Sequence, residues 1–399
     1  MKKVYFATRA RGFFKHLFSC DEVEYEFIGA NKKIYELNSR KRKLLTKIAR
    51  LKVFDWLGLI QVIKCKNKNA NIYGSYNRFL KSDKPYFIYV ENPTALYHYR
   101  INRNKSWLGR RKVNHYLNDN YLKAIICMSQ ACFNTFDRVC GRLDEDKIIK
   151  QVIYPLVPKN DLVNEQKIIN RCKKEEINLL FIAQGIRFLS KGALEVIEAY
   201  RRLRSEYQNI KLTMVTSIGE VNNEIIKMIE EKNDIKLLDF NLTYEEMKEL
   251  YANSTILLQP TSDESFGMTI LEGMKSGLPI LATRLYAIPE MVTDGVNGYL
   301  TDPQWWYFDK NNIPNPNIWG SANRKKTIDS GRRSEKITQF LYEKIKFLNE
   351  NREILEKMSL ASWEKANSAP FSESHIIKSW NSLLNEIDET NTKSCEGIR

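Results

Sequence analysis

The chain of 399 residues is long enough for two or three domains with buried cores, and its 43% hydrophobic content excludes a largely disordered polymer. The net charge of +15 is lopsided: residues 1–150 hold 31 lysines and arginines against 13 aspartates and glutamates, whereas the remaining 249 hold 32 against 35. A field of one sign confined to the N-terminal part suits an anionic partner, such as a membrane surface or a lipid-linked substrate; the plainer alternative is a lysine-biased composition with no partner. No nucleic-acid recognition module accompanies the charge, so nucleic acid is not expected to bind.

The opening residues, MKKVYFATRARG, hold too few apolar residues for a signal peptide, and Val53–Ile63 is interrupted by Asp55 and Gln61, so no membrane span is expected. Lys3–Thr8 reads as the first strand, followed by a loop with Arg9, Arg11 and Gly12. Arg40–Lys52 spaces Leu44, Leu45, Ile48 and Leu51 as on a helix, with cations between them. That pattern fits a helix lying on an anionic membrane, with Phe54, Trp56 and Leu57 as anchors, or an ordinary amphipathic helix docked on a sheet. Arg100–Lys112, with Trp107, is a second basic cluster. Leu59–Lys64 is an apolar run, Asn71–Tyr73 reads as a short strand, and Tyr86–Glu91 is a strand stopped by Asn92-Pro93. Tyr121–Ser129 ends in an N-cap for a helix over Ala131–Val139. Asp144-Glu145-Asp146 sits in a charged turn and reads as solvated, so no metal is expected. Seven cysteines without a C-x-x-C pair suggest reduced thiols in a cytoplasmic protein. Two prolines in Tyr154–Asn160 mark a connection between domains.

The second half alternates more cleanly. Asn178–Gln184 is a continuous apolar strand, Gly192–Leu203 an amphipathic helix, Lys211–Thr216 a strand and Asn222–Glu231 a helix. Ile235–Leu238, Thr255–Gln259 and Leu278–Ala282 are further strands, and Thr243 with Glu246 forms a capping box for a helix to Tyr251. This βαβα order specifies a doubly wound parallel sheet, which binds ligands beyond the carboxyl ends of its strands. Gln304–Arg333 reads as a long inserted loop, and Ser334–Asn349, Arg352–Asn367 and Ser372–Asp388 as closing helices.

The most specific stretch is QPTSDESFGMTILEGMKSGLPILA, residues 259–282. Asp263 and Glu264 lie on a loop, Ser265-Phe266-Gly267 turns into a helix from Met268, and Glu272 lies within it. Unpaired amides of Phe266, Gly267 and Met268 at that helix start make an anion site, and carboxylates beside it accept hydrogen bonds from sugar hydroxyls. A ligand with both phosphates and hydroxyls is implied. The segment E-S-F-G-M-T-x-x-E-x-M-x-S-G-x-P resembles the E-x7-E motif of retaining GT-B glycosyltransferases of family four, glycosyl transferases group 1. FIAQGIRFLSKG (181–192), LYANSTILLQP (250–260) and PEMVTDGVNG (289–298) resemble that family's flanking elements, in the family's order.

The resemblance implies an α/β protein of GT-B architecture, two Rossmann-like domains facing a cleft: residues 1–158 for the acceptor, with 372–399 packing back on them, and 159–371 for the nucleotide sugar. By the same likeness Glu264 would meet the donor sugar hydroxyls and Glu272 the ribose. Ser265, Phe266, Gly267, Met268 and Thr269 would line the sugar and diphosphate, and Arg187 and Lys191 would neutralise the leaving diphosphate. Phe240 and Leu242 would hold the nucleobase. Gly12 stands where many members carry a glycine pair. Glu91 stands where many have histidine, and ranks above His98 for the acceptor side. No cofactor beyond a UDP- or GDP-linked sugar is implied. The expected activity is retaining transfer to a glycan or lipid-linked acceptor in surface polysaccharide assembly, at the inner face of the cell membrane. The rivals are a sugar-nucleotide epimerase of the same fold and a noncatalytic binding module.

Overall fold

Apolar runs flanked by amphipathic helices can bury both faces only by forming parallel sheets covered on each side, and the computed structural model contains two such sheets. It describes residues 2–29, 51–67, 69–231 and 234–396. By its internal contacts the chain divides into one unit of Met1–Leu156 with Pro370–Arg399 and a second of Val157–Ala369. Most of the membrane-helix expectation, residues 40–50, lies outside the described residues. Among the described residues no helix is long and apolar enough to cross a membrane.

The first unit holds β1 (Lys2–Phe6), β2 (Tyr25–Ile28), β4 (Ile72–Tyr76), β6 (Tyr86–Val90), β7 (Leu122–Cys127) and β8 (Ile149–Val152). They are ordered β2-β1-β4-β6-β7-β8 and parallel throughout. β3 (Val62–Lys64) and β5 (Phe79–Lys81) pair separately as a small parallel sheet, so the run at Leu59–Lys64 is not part of the main sheet. Ser129 caps its helix as expected, its hydroxyl accepting from Cys132 N at 3.1 Å; the helix spans Gln130–Cys140. The last helix, Glu373–Glu396, returns onto this unit. Its fully buried Trp380 packs against Phe27, Phe87 and Tyr89, and Tyr25 donates to Asn385 Oδ1 at 2.9 Å. Truncating such a buried indole to alanine costs about 3–5 kcal/mol.

The second unit holds β9 (Ile177–Ile182), β10 (Ile210–Thr216), β11 (Ile235–Asp239), β12 (Ile256–Gln259), β13 (Ile280–Thr283) and β14 (Gly298–Thr301). These are parallel and ordered β11-β10-β9-β12-β13-β14, the doubly wound arrangement expected. Thr243 and Glu246 form the reciprocal capping box of the helix Tyr244–Asn253. A buried arginine anchors the other end of that helix and of its neighbour Met268–Lys275: Arg171 donates to the carbonyls of Ala252 and Ser276 at 3.1 Å and of Gly277 at 2.6 Å. Burial lowers its pKa to about 10. The cation thereby satisfies helix-terminal carbonyls that would otherwise be orphaned in the core. The segment 304–333 is not an open loop. It contains the helix Ser321–Lys326 and an aromatic cluster in which Tyr307 stacks on Trp319 at 4.5 Å and Phe308 on Tyr286 at 4.0 Å.

Candidate functional site

The strand order of the second sheet reverses between β9 and β12, and at such a switch point the outgoing loops diverge and leave a crevice. Both loops there bear charge: 183–192 carries Arg187 and Lys191, and 260–267 carries Asp263 and Glu264. Ser262 N donates to Ser190 O at 2.8 Å, fastening one loop to the other. Gly192 has φ +85°, and a Cβ there would come within 2.6 Å of Pro260 O, so only glycine allows the loops to approach this closely.

Their side chains pair across the seam. Lys191 Nζ donates to Glu264 Oε2 at 2.5 Å and to Asp263 O at 3.0 Å, and Arg187 donates to the Asp263 carboxylate. Burial would raise the Glu264 pKa, but the Lys191 charge and the amides of Ser265 and Phe266, at 3.0 and 3.3 Å, outweigh it and hold the carboxyl below its ordinary value. Of the three amides expected at the helix start, that of Phe266 is thus engaged by Glu264 itself. Gly267, at φ +103°, caps the helix Met268–Lys275, with Met268 and Thr269 in its half-buried first turn. Glu272 lies further along, partly buried, its Oε2 accepting from Tyr251 Oη at 2.8 Å. Burial pushes its pKa up to about 7, against the lowering effect of that hydrogen bond.

A third cation escaped the sequence reading. Arg324, on the helix of the inserted segment, donates to Asp263 at 2.8 Å, so two guanidiniums share one carboxylate that is 6% exposed. Its Nε and Nη2 also grip Asp329 at 3.0 and 3.1 Å. Burial, and then the facing Arg324 charge, lower the Arg187 pKa. Trp305 N donates to Ser262 Oγ at 3.3 Å, holding the insert against the same loop. The only sequence signal for Arg324 is the density of aromatic and basic residues in the insert, which does not specify where the chain returns.

Phe240 is exposed and Leu242 half-buried, in the turn after β11. In the first unit Glu91, at the carboxyl end of β6, accepts from Tyr76 Oη at 2.6 Å and Tyr99 Oη at 2.8 Å. Burial would lower the Arg11 pKa, but the facing Tyr76 and Glu91 raise it overall. His98 Nε2 accepts from Gln61 N at 2.8 Å, and burial together with Arg78 and Arg103 pushes its pKa to about 3, so it is neutral and engaged. Gly12 is exposed, and a Cβ there would meet nothing within 4 Å, so no packing demands glycine. Asp144, in the charged turn, pairs with Lys147 at 2.6 Å.

Residues 164–306 match the family model of glycosyl transferases group 1. Trehalose synthase of Thermococcus litoralis is 28% identical over 183 residues, 42% of this chain and 44% of that protein; the match spans under half of that relative's length. Along nearly the whole chain the fold is similar to a glycosyltransferase from Rickettsia africae, with TM-score 0.59 at 15% identity, covering 97% of this chain and 98% of that one. It is also similar to Anabaena HepE, solved with UDP-glucose, with TM-score 0.56 at 14% identity, covering 97% and 100%. The chain therefore has the GT-B fold of two Rossmann-like domains, with a glycosyl transferases group 1 match in its second unit.

Proposed function

We propose that the protein is a retaining glycosyltransferase that moves a sugar from a UDP- or GDP-linked donor to a hydroxyl of a glycan or lipid-linked acceptor, in surface polysaccharide assembly. The observation that carries this reading is the convergence of Arg187, Lys191 and Arg324 with Asp263 and Glu264 at the switch point of the second sheet. Cations fixed at one place suit a leaving diphosphate, whose charge grows as the C1–O bond breaks. Glu264, held ionised by Lys191, is an acceptor for donor sugar hydroxyls. Glu272 serves the ribose, and Phe240 and Leu242 the base. Retention follows from attack on the face the diphosphate leaves: the acceptor oxygen bonds to C1 and the departing phosphate oxygen takes its proton. Glu91, oriented by two tyrosine hydroxyls, then belongs to the acceptor side in the first unit. The side-chain cations Arg187, Lys191 and Arg324 would supply the charge that a metal provides elsewhere, so chelation with EDTA should leave turnover unchanged.

The test is incubation with UDP- and GDP-sugars, reading nucleoside diphosphate release without acceptor and its acceleration by candidate acceptors. Release that disappears in Lys191→Ala supports the reading. Binding without release indicates a noncatalytic module, and an epimerised, intact sugar nucleotide indicates the isomerase rival; either result overturns it.

A further inference from the structure

In the first unit three short helices form a platform whose outer face has no counterpart in the donor chemistry. The helix Lys52–Trp56 meets Ile101–Lys105 through an ion cluster around the buried Asp55, and Trp107–Leu117 through hydrogen bonds and a close backbone approach. Asp55, almost fully buried, accepts from Arg100 Nε and Arg103 Nη2, each at 3.0 Å. Ser106 Oγ donates to Trp56 O at 2.6 Å, and Lys112 Nζ to Leu57 O at 3.1 Å. Gly58, at φ +60°, crosses so near the first turn of the third helix that a Cβ would lie 2.3 Å from Gly109 N. The backbone beneath the face is therefore tightly fixed.

The face itself is apolar and cationic. Trp56 and Trp107 are each 68% exposed, and Leu51, Val53, Leu57 and Leu59 also project into water. The Arg111 guanidinium stacks 5.3 Å over the Trp107 ring, and Lys52, Lys105 and Arg110 are exposed on the same three helices. Residues 51–67 and 100–117 together contain nine lysines and arginines, and their one acid is Asp55, already consumed by the two arginines. Tryptophans settle at the headgroup level of bilayers, aliphatic side chains enter the acyl boundary and cations pair with anionic headgroups. Nucleic acid would use the rings and cations but has no use for the four exposed aliphatic side chains.

We propose that this Trp56–Trp107 platform is a docking surface for an anionic lipid bilayer. The inference is independent of the glycosyl-transfer reading, since it concerns other residues and needs no donor. Full-length protein is floated with vesicles of phosphatidylcholine alone and of phosphatidylcholine mixed with phosphatidylglycerol. The expected result is recovery with the anionic vesicles only, weakened by salt, with a blue shift of tryptophan emission. The Trp56→Ser, Trp107→Ser double variant should lower the partition coefficient about tenfold or more. Its melting temperature should be unchanged, because both rings stand in solvent. A charge variant, Lys105→Glu with Arg111→Glu, should lose the preference for phosphatidylglycerol. Recovery with neither vesicle, equal recovery with both, or undiminished recovery of both variants would overturn the proposal. So would single-stranded RNA reproducing the emission shift where vesicles do not.

Discussion

Glu272 offers the sharpest test because its two expected behaviours oppose each other. Its folded-state pKa of about 7 stands above an ordinary value of 4.5, through burial that the Tyr251 hydrogen bond only partly offsets. Between those values the folded protein holds a proton that the unfolded chain has released. Stability from this residue is therefore fully present below pH 4.5 and is lost as the pH rises through 7. The gap corresponds to up to about 3 kcal/mol lost by pH 8, an upper bound because the side chain is only partly buried. Glu272→Gln keeps an acceptor for Tyr251 and removes the titration. Urea melts of both proteins at pH 5 and pH 8 isolate the effect, since every other group titrates alike in the two. The variant should gain on wild type by up to about 2.5 kcal/mol at pH 8 relative to pH 5, since part of the loss has already occurred at pH 5. Affinity for whichever UDP- or GDP-sugar the protein accepts, measured calorimetrically, should move the other way if Glu272 meets the ribose as proposed: the ionised carboxylate is the better acceptor, so wild type weakens from pH 8 to 6 while the variant is weak and flat. The donor's diphosphate diester stays fully ionised over this range and contributes no slope. Parallel stability curves in the two proteins would refute the buried-carboxyl argument. A shared pH slope in binding would remove Glu272 from the nucleotide.

Lys191→Ala should reduce kcat by about 10²-fold or more, as loss of one fixed stabiliser of developing charge does elsewhere; steady-state assays with the accepted donor read this. Arg324→Gln leaves Asp263 to Arg187 alone, which ties Arg187 more firmly to the protein. The donor KM should rise about tenfold with a smaller change in kcat, and UDP binding should suffer more than UMP binding. Arg171→Met removes a buried cation that satisfies three carbonyls, and urea unfolding should show a loss of about 3 kcal/mol with little change in KM.

The second unit is legible in the sequence because its strands are buried on both faces. NLLFIAQ and STILLQP each centre on an unbroken apolar run, Leu179–Ala183 and Ile256–Leu258, ending shortly before a glycine or proline, and Thr243 with Glu246 announces its helix through local hydrogen bonds. β2, β8 and β14 carry no such signal: YEFI and IKQV are half-buried strands at the two edges of their sheet, and GYLT follows a turn. The candidate residues of the motif can be picked out one by one in the sequence, whereas their pairing cannot. Nothing local in the sequence says that Asp263 accepts from two arginines. One of those arginines lies in an insert whose path is set by stacking of Tyr307 on Trp319 rather than by any helical or strand period.

That pairing bears on how a diphosphate would be received. Arg187, Lys191 and Arg324 face Asp263, Glu264 and Asp329, three cations against three carboxylates. Pairing offsets part of the desolvation that these cations suffer, so no charge is left stranded at the partly buried site in the free protein. On the proposed function a donor would bind by exchange, its phosphate oxygens replacing a carboxylate at whichever cation is freest to turn. The Arg187 side chain is 41% exposed and shares its carboxylate, whereas Arg324 is 18% exposed and is clamped by Asp329 as well. Arg187 is thus the arm that would move to the phosphate, and Arg324 the fixed counter-charge that keeps Asp263 satisfied when it does.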